Sequence, residues 1–442
     1  MRTILPRPLR GSLRVMPSKS ASHRALICAA LAKGESAVSP LQRSQDVEAT
    51  LACLEGIGLA RISGMEPLPD APGSVRCRLT GLRRRPKPLE GAPRPRLAPC
   101  GESGSTLRFL MPLALDGGAV VRFEGTERLL NRPLDAYRAL FAAHCEGHRW
   151  VDEPGAITLG GRLRSGDFAL PGDVSSQFAS GLLFALPRLD GDSSIRLTGA
   201  VESRGYIDLT LAALARCGIE ARWQDERTLC VLGGQRAQPG NSAVEGDWSH
   251  AAFYLVAGLI GGPSGGPVRL TGLDAGSLQG DRAVVEVLRG MGGDIRLEND
   301  AWVARPSALH GTRIDASQIP DLVPALAVAA CAARGRTVIH NAARLRIKES
   351  DRLASLRAEL GALGAAIEEQ PDGLVIDGNG TLRGGAVSSH NDHRIAMALA
   401  VAAALCDAPV ELAGSEAVRK SAPAFWEEYE SLGGMSDARS MG

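Results

Sequence analysis

Polar segments that open long apolar helices recur at regular intervals along the chain. Five of these segments start at residues 103, 175, 247, 319 and 391, each 72 residues after the last, and the first interval, from residue 18, is 85 residues long. Each one begins with small or polar residues and continues as an Ala- and Leu-rich run, which predicts a buried helix with a polar N-cap. The pattern indicates one structural unit repeated six times.

A second series of helices alternates with the first, and each of its members ends at a glycine, which favours a left-handed C-terminal cap. These helices are predicted at Val47–Gly58, Pro133–Gly147, Tyr206–Gly218, Asp281–Gly292, Asp351–Gly364 and Pro423–Gly433. Short β-type runs lie between the helices, at Val120–Phe123, Ile195–Thr198, Val268–Thr271, Thr337–His340 and Val410–Leu412. Since about three such units make a core-sized domain, the sequence predicts two similar α/β domains.

Composition places the chain among cytosolic globular proteins. It has 442 residues, a formal net charge of +1 and nine scattered cysteines without a CxxC pair. We therefore expect reduced thiols, no metal site, no membrane segment or signal peptide, and a cytoplasmic location. The basic run Arg83–Lys87, within the Pro- and Arg-rich stretch Met65–Pro99, is typical of a nucleic-acid arm or of a solvated hairpin. We favour the hairpin because no aromatic residues alternate with the charges.

The densest cluster of charges lies at Leu345–Leu353, where Arg346, Lys348, Glu349, Asp351 and Arg352 precede or open a predicted helix. Such a run is typical of a solvated helix start, but it can also direct two cations and a carboxylate into a cleft. Other predicted helix starts also carry cations, which oppose the helix dipole. Their recurrence favours a site for an anion with several phosphate or carboxylate groups.

The ordered motifs of the chain resemble those of the EPSP synthase family, within the enolpyruvyl transferases, from about residue 10 to about residue 430. The motifs that carry the resemblance are Ser18–Arg24, Gly101–Arg108, Arg132–Pro133, Gly172–Gln177, Ser203–Asp208, Gln279–Asp281, Pro320–Asp321, Leu345–Arg352 and Asp392–Met397. The resemblance implies an inside-out α/β barrel fold with three βαβαββ repeats in each domain. It also implies a discontinuous first domain (1–17 and 244–442), a second domain (18–243) and a double-crossover hinge near residues 16–19 and 242–246.

The family reaction joins shikimate 3-phosphate and phosphoenolpyruvate by addition and elimination in a closed cleft between the domains, and releases phosphate. The resemblance implies that Asp321 is the general base, assisted by Lys348, that Glu349 is the acid, and that Lys19 lies between both substrates. The residues implied to bind shikimate 3-phosphate are Lys19, Ser20, Arg24, Ser175, Ser176, Ser203, Tyr206, Asp321 and Lys348. Those implied to bind phosphoenolpyruvate are Lys19, Gly104, Arg132, Gln177, Arg352, Arg394 and Lys420.

Charge balance agrees with this assignment. The two substrates carry roughly six negative charges, and the matched motifs supply seven cations: Lys19, Arg24, Arg132, Lys348, Arg352, Arg394 and Lys420. We therefore expect no metal and no cofactor, and a monomer that binds small molecules and no nucleic acid. Ser175, Ser176 and Asp321 could also be helix caps or first-turn residues, and His393 a supporting residue.

Some positions depart from the common family pattern, and other functions were weighed. Pro17, Glu102, Ser105, Arg204–Gly205 and Arg344 replace frequent family residues, and Arg344 stands where members often contact shikimate phosphate. A related transferase that acts on UDP-N-acetylglucosamine has a reactive cysteine, which the stretch Leu110–Val121 lacks. RNA 3′-terminal phosphate cyclase and a non-enzymatic phosphate-binding protein are weaker alternatives.

Overall fold

The computed structural model describes residues 1–82 and 95–438, so Arg83–Lys87 lies outside the described part. The strands of that part are β1 (Arg2–Ile4), β2 (Gly11–Arg14), β3 (Gly34–Gln42), β4 (Ala60–Pro67), β5 (Ser74–Gly81), β6 (Arg96–Gly101), β7 (Val121–Gly125), β8 (Cys145–Glu153), β9 (Ala156–Leu163), β10 (Asp167–Pro171), β11 (Ser193–Thr198), β12 (Ala221–Trp223), β13 (Thr228–Val231), β14 (Asn241–Ala243), β15 (Val268–Thr271), β16 (Asp294–Glu298), β17 (Ala301–Arg305), β18 (Arg313–Asp315), β19 (Gly335–His340), β20 (Ala366–Gln370), β21 (Gly373–Gly378), β22 (Gly385–Ser388), β23 (Val410–Ala413) and β24 (Ser436–Ala438). The α-helices of the same part are α1 (Lys19–Leu31), α2 (Gln45–Gly56), α3 (Gly104–Ala114), α4 (Glu127–Leu130), α5 (Asp135–His144), α6 (Ser176–Ala185), α7 (Arg204–Arg216), α8 (Trp248–Ile260), α9 (Val284–Gly290), α10 (Val323–Ala332), α11 (Arg352–Ala362), α12 (His393–Ala402) and α13 (Phe425–Ser431). None of these helices is long and apolar enough to cross a membrane.

The chain divides into two compact units, and it passes from one to the other twice. Unit 1 comprises residues 1–16 and 245–442, and unit 2 comprises residues 17–244. These limits lie one residue from the predicted ones at each boundary. Each unit has its own apolar core, built mainly from Ala, Leu, Val and Ile. The double-crossover hinge stays a prediction.

The described residues form six four-stranded sheets, three in each unit, and all six share one strand pattern. In the sheet ordered β10-β11-β13-β12, for example, the first two strands are parallel and the last two join them in antiparallel register. The parallel pair is connected through a helix of the first series, here α6, and the second helix, α7, leads to the antiparallel hairpin. This is a βαβαββ repeat, and the predicted fold class is confirmed.

Three strands complete repeats that lie far away in the sequence. Strand β14, at the end of unit 2, pairs in parallel with β3 near its beginning. Strand β2 pairs in parallel with β15, more than 250 residues later, and β1 fits between β23 and β24. Hydrophobic periodicity is local, so it could not assign these three short strands to their sheets.

The first helical series begins where the polar segments predict. Ser18, Ser103, Ser175 and Asp247 are the N-caps of α1, α3, α6 and α8, and each side chain accepts a hydrogen bond from a backbone N–H of the first turn. The other two starts differ slightly, since a 3-10 turn at Pro320–Leu322 precedes α10, and α12 is capped by Asp392. These helices are almost wholly buried because their bodies are apolar on every side.

Five of the six glycines predicted to end the second helical series follow their helices, and these five have a positive φ, between 77° and 92°. One predicted helix is too long, however. The pattern placed Pro133–Gly147 in a helix, but α5 ends at His144 and Cys145 already pairs with Leu163 in the β8–β9 hairpin. Cross-strand pairing with β9 overrides the helical pattern there.

Gly378, the last residue of β21, packs directly against the end of α10. A Cβ atom at this position would overlap the carbonyl oxygens of Ala330 and Ala333. Gly81, the last residue of β5, meets the carbonyls at the end of α1 in the same way. The absence of a side chain at these two positions lets the hairpin approach the buried helix.

We therefore expect Gly378→Ala to lower the free energy of unfolding by about 1–3 kcal/mol, because backbone atoms cannot move aside as a flexible side chain can. Urea titration followed by circular dichroism measures the change. The control is Gly361→Ala within α11, where the added Cβ has only ordinary contact with Ile367. Alanine favours a helix there, so the control should be neutral or slightly stabilising, and equal destabilisation by both changes would contradict the explanation.

Candidate active site

A buried arginine joins three carboxylates in unit 1. The guanidinium of Arg352 donates to Asp392 through Nε (2.8 Å), to Asp321 through Nη1 (3.0 Å) and to Glu349 through Nη2 (2.8 Å). The side chains of Arg352 and Asp392 are 1% and 0% exposed. Lys348 and Arg394 complete the group, with Nζ of Lys348 3.7 Å and Nη2 of Arg394 3.2 Å from the Asp321 carboxylate. We call these six side chains the acid–base cluster.

Helix starts hold the members of the acid–base cluster in place. Arg352 is the first residue of α11, whose N-cap is Asp351, and Arg346 contacts both Asp351 and Glu369. Asp392 caps α12, and its carboxylate accepts from the backbone N–H of Arg394 (2.9 Å). Asp351 and Arg346 thus have structural roles, and the charged run is not merely a solvated helix start.

Asp321 lies in the 3-10 turn before α10. Burial works to raise the pKa of Asp321, whereas the positive charges of Arg394, Lys348 and Arg352 outweigh it and hold the pKa well below its usual value. Burial lowers the pKa of Lys348, although Asp321 opposes that change. Asp321 is therefore an anion over the whole physiological range, beside a lysine that gives up its proton more easily than usual.

Two further cations lie close to these segments. Nζ of Lys420 donates to the backbone carbonyl of Asn391, at 2.5 Å, immediately before Asp392. Arg344 belongs to the 3-10 helix that precedes Lys348 and donates to the carbonyl of Ser317, at 2.8 Å. The structure therefore brings Asp321, Lys348, Glu349, Arg352 and Arg394 together and places Lys420 at an adjoining loop.

In unit 2, a glycine and three long polar side chains meet at the start of α3. A Cβ atom at Gly104 would lie 2.9 Å from Nη1 of Arg132, 3.5 Å from Nη1 of Arg108 and 3.8 Å from Oε1 of Gln177. Arg108 donates to Oε1 of Gln177 (2.8 Å), and Nε2 of Gln177 donates to Ser105 (3.0 Å). A side chain at position 104 would displace the guanidinium of Arg132, while Arg108 and Gln177 would be in ordinary contact with it. We call Gly104, Arg108, Arg132 and Gln177 the glycine cluster.

Arg24 is buried between α1 and α7. It donates to Thr210 (2.8 Å) and to the backbone carbonyls of Ser20 and Tyr206. Burial lowers the pKa of Arg24 to about 10, so the side chain stays charged at neutral pH. Arg24, Ser20 and Tyr206 are thus brought together as predicted from the motifs.

Lys19, the first residue of α1, forms an ion pair with Asp46 in the first turn of α2, at 2.8 Å. Both side chains are largely buried. The helix dipole of α2 favours an acid at this position, whereas the dipole of α1 disfavours a cation, so Asp46 compensates for Lys19.

The predicted phosphate-binding serines have mixed surroundings. The hydroxyl of Ser175 caps α6 through the N–H of Gln177, and Ser176 is the first residue of that helix. Ser203 is buried just before α7, with a left-handed φ of 53°, and its carbonyl accepts from the N–H of Tyr206. The capping interpretation of Ser175 is confirmed, while its role in binding substrate stays a prediction.

The site residues predicted from the sequence do not include Arg108 and Asp392, which belong to these clusters, or Asp46, which pairs with Lys19. Arg108 and Asp392 lie inside motifs that had been recognised, whereas nothing local marks Asp46. The count of seven cations against about six substrate charges was also incomplete, because Asp46 and Asp392 already neutralise Lys19 and Arg352. Acids supplied by neighbouring elements were invisible to a count based on motifs.

The chain is similar to known proteins in both sequence and structure. A model of the family EPSP synthase (3-phosphoshikimate 1-carboxyvinyltransferase) matches residues 5–429. The 3-phosphoshikimate 1-carboxyvinyltransferases of Clostridium novyi and Clostridioides difficile are each 41% identical to the chain over 441 residues, which cover 99% of both partners. An EPSP synthase structure from Acinetobacter baumannii superposes with a TM-score of 0.80 at 26% identity and covers 99% of each chain. The enolpyruvyl transferase NikO from Streptomyces tendae, at 16% identity and a TM-score of 0.77 over 100% of this chain and 99% of its own, shares the fold.

The buried contact between Arg352 and Asp392 yields a stability prediction. We expect Asp392→Asn to lower the free energy of unfolding at neutral pH by about 3–5 kcal/mol, because it leaves part of a buried guanidinium charge uncompensated. Burial works to raise the pKa of Asp392, but Arg352 outweighs it and the pKa lies below its usual value. A lowered folded-state pKa stabilises the fold above the unfolded-state pKa, about 4, and this stabilisation is lost as pH falls through the folded-state pKa. Urea titrations over a range of pH should therefore show the two proteins converging in acid.

The matched control for Asp392→Asn is Asp377→Asn, which removes a carboxylate from an exposed pair with Arg336 in the same unit. Solvent screens that pair, so little change is expected. A difference between wild type and Asp392→Asn that grows as the pH falls would contradict the assignment.

Proposed function

Because the chain belongs to the EPSP synthase family and therefore transfers the enolpyruvyl group of phosphoenolpyruvate to the 5-hydroxyl of shikimate 3-phosphate, we propose that Asp321, Lys348 and Glu349 carry the proton transfers of this reaction. The reaction is a step of the shikimate pathway towards the aromatic amino acids. The observation that carries the proposal is the shared guanidinium of Arg352, which holds Asp321 and Glu349 together with Lys348 nearby.

Addition and elimination each need a proton to move. In addition, the 5-hydroxyl oxygen bonds to C2 of phosphoenolpyruvate, the hydroxyl proton leaves, and the C3 methylene gains a proton to become a methyl group. In elimination, the methyl group loses a proton, the double bond re-forms, and the bond from C2 to the phosphate oxygen breaks. The site must therefore hold one group that accepts a proton and another that donates one.

Asp321 is the proposed base for the 5-hydroxyl. Three cations hold its pKa low in the structure, so its basicity must rise for the reaction. Phosphoenolpyruvate supplies that change if its phosphate and carboxylate attract Arg352 and Arg394 away from Asp321. Lys348, with its lowered pKa, assists as the neighbouring cation, its Nζ 3.7 Å from the Asp321 carboxylate.

Glu349 is the proposed acid for the C3 methylene. Three carboxylates meet at Arg352, so their ionisations are coupled, and a proton on one of them relieves repulsion among the rest. Asp392 accepts from the guanidinium twice, through Nε and Nη2, and Asp321 is held as an anion by three cations. We therefore assign the proton to Glu349, which accepts from Nη2 of Arg352.

Cations of both units supply the binding energy in this proposal. Arg132, Gln177, Arg352, Arg394 and Lys420 bind the phosphate and carboxylate of phosphoenolpyruvate, and the missing side chain of Gly104 makes room for it. The residues proposed for shikimate 3-phosphate are Lys19, Ser20, Arg24, Ser175, Ser176, Ser203, Tyr206, Asp321 and Lys348. The clustering of Gly104 with Arg132 and Gln177, and of Arg24 with Ser20 and Tyr206, supports this division.

We propose further that the protein acts as a cytoplasmic monomer on small-molecule substrates, without nucleic acid, metal or cofactor. Within the described residues, no three His, Cys, Asp or Glu side chains are arranged to hold a metal ion.

We expect Glu349→Gln to reduce turnover by about 100-fold or more, because the amide cannot supply the proton for C3. Binding of shikimate 3-phosphate should persist, since the amide keeps the shape of the side chain. Phosphate release from phosphoenolpyruvate measures turnover, with UDP-N-acetylglucosamine as an acceptor that should give none. Isothermal titration calorimetry measures binding.

The control for Glu349→Gln is Glu368→Gln, an exposed glutamate on β20 of the same unit, which should turn over normally. Wild-type turnover by Glu349→Gln would remove Glu349 from the mechanism. Phosphate release with UDP-N-acetylglucosamine instead of shikimate 3-phosphate would contradict the assigned acceptor.

A further inference from the structure

Helix α11 contacts the loop before α12 at two points. Arg352 and Glu359 are seven residues apart, nearly two full turns, so they share one face of α11. Arg352 donates to Asp392 at the end of the loop, and Glu359 accepts from groups at its beginning. We call residues 388–392 the α12 loop.

The α12 loop has an unusual backbone. His390 and Asn391 are consecutive residues with left-handed φ angles, 50° and 55°, and neither is glycine. Such conformations are unfavourable for residues with a Cβ atom and persist only where surrounding contacts impose them. The same two residues determine where the carbonyl of Asn391, which accepts from Lys420, and the carboxylate of Asp392 are directed.

Glu359 makes two of the contacts that hold this backbone, beside the hydroxyls of Ser388 and Ser389, which accept from the N–H groups of His390 and Asn391. One carboxylate oxygen accepts from the N–H of Ser388, at 2.8 Å, and the other lies 2.6 Å from Nε2 of His390. The Glu359 side chain is 12% exposed and that of His390 is 40% exposed, so water competes more for the contact with the ring than for the bond from the Ser388 N–H. The two contacts tie α11 to the backbone of Ser388 and to the side chain of His390, the first left-handed residue.

We propose that Glu359 is a positioning residue for phosphoenolpyruvate binding, because it holds the α12 loop in the left-handed conformation that orients Lys420, Arg352 and Arg394. The inference rests on the proposed function, in which these three cations bind that substrate. Glu359 itself does not touch the acid–base cluster. Its effect passes through the backbone of Ser388–Asp392 to the carbonyl that holds Lys420, the carboxylate that holds Arg352, and the first turn of α12, which carries Arg394.

The test is Glu359→Ala. Release of the loop should raise the KM for phosphoenolpyruvate about tenfold, since small displacements of the groups that bind a substrate greatly weaken its productive binding. The Kd for shikimate 3-phosphate alone, measured by calorimetry, should not change. An unchanged KM for phosphoenolpyruvate, or an equal loss of affinity for both substrates, would overturn the proposal.

A second substitution separates positioning from a general loss of structure. In the Glu359→Ala background, His390 has lost the partner of its ring, and glycine adopts the left-handed conformation without strain. The double variant Glu359→Ala/His390→Gly should therefore recover most of the affinity for phosphoenolpyruvate, and a double variant no better than the single one would overturn the proposal. If Glu359→Ala does not fold, Glu359→Gln, which keeps an acceptor for Ser388, should raise the KM about threefold, and an unchanged KM would again overturn it.

Lys420→Met distinguishes this inference from the proposed function. If Lys420 binds phosphoenolpyruvate, the change raises the KM for that substrate whatever Glu359 does. A wild-type KM in Lys420→Met would overturn the part of the proposed function that assigns Lys420 to phosphoenolpyruvate, and with it the inference. A raised KM in Lys420→Met with a wild-type KM in Glu359→Ala would overturn the inference alone.

Discussion

One buried guanidinium determines the arrangement of the candidate site in unit 1. Arg352 is 1% exposed, and the desolvation cost of its charge is offset only while Asp392, Asp321 and Glu349 stay in contact with it. These carboxylates come from the 3-10 turn before α10, the turn before α11 and the cap of α12. Loss of any one contact leaves a charge in a medium where it costs several kcal/mol. The desolvation cost of Arg352 therefore fixes three separate segments relative to one another.

The same cations that are expected to bind substrate also set the protonation of the base. Arg394, Lys348 and Arg352 hold the pKa of Asp321 well below its usual value against the opposing effect of burial. The free protein thus keeps its cations from repelling one another by pairing them with its own acids, and a bound anion must compete with those acids. When the cations exchange Asp321 for phosphoenolpyruvate, the same exchange binds the substrate and activates the base. Turnover would then depend on occupancy by phosphoenolpyruvate.

Much of this fold could be predicted from the sequence because its signals are local. Ser18, Ser103, Ser175 and Asp247 cap helices where the polar segments predicted them, and the positive φ of Gly218 and Gly364 follows from their position after helices. Strand β14 and the carboxylate of Asp46 could not be assigned, since their partners are set by topology. Arg352 could be recognised from its motif, but its burial and its contact with Asp392, 40 residues later, required the structure.

At two helix starts of this protein, a cation lies beside a carboxylate that compensates its charge. Lys19 opens α1 and Arg352 opens α11, and the dipole of each helix disfavours a cation at that end. In both cases a carboxylate from another element, Asp46 or Asp392, offsets the cost. The arrangement keeps backbone N–H groups and a cation directed to the same place, and such places bind phosphate well. A repeat whose first helix begins with polar residues can therefore acquire a phosphate site by adding a cation there, provided a neighbouring element supplies an acid that compensates the charge of that cation.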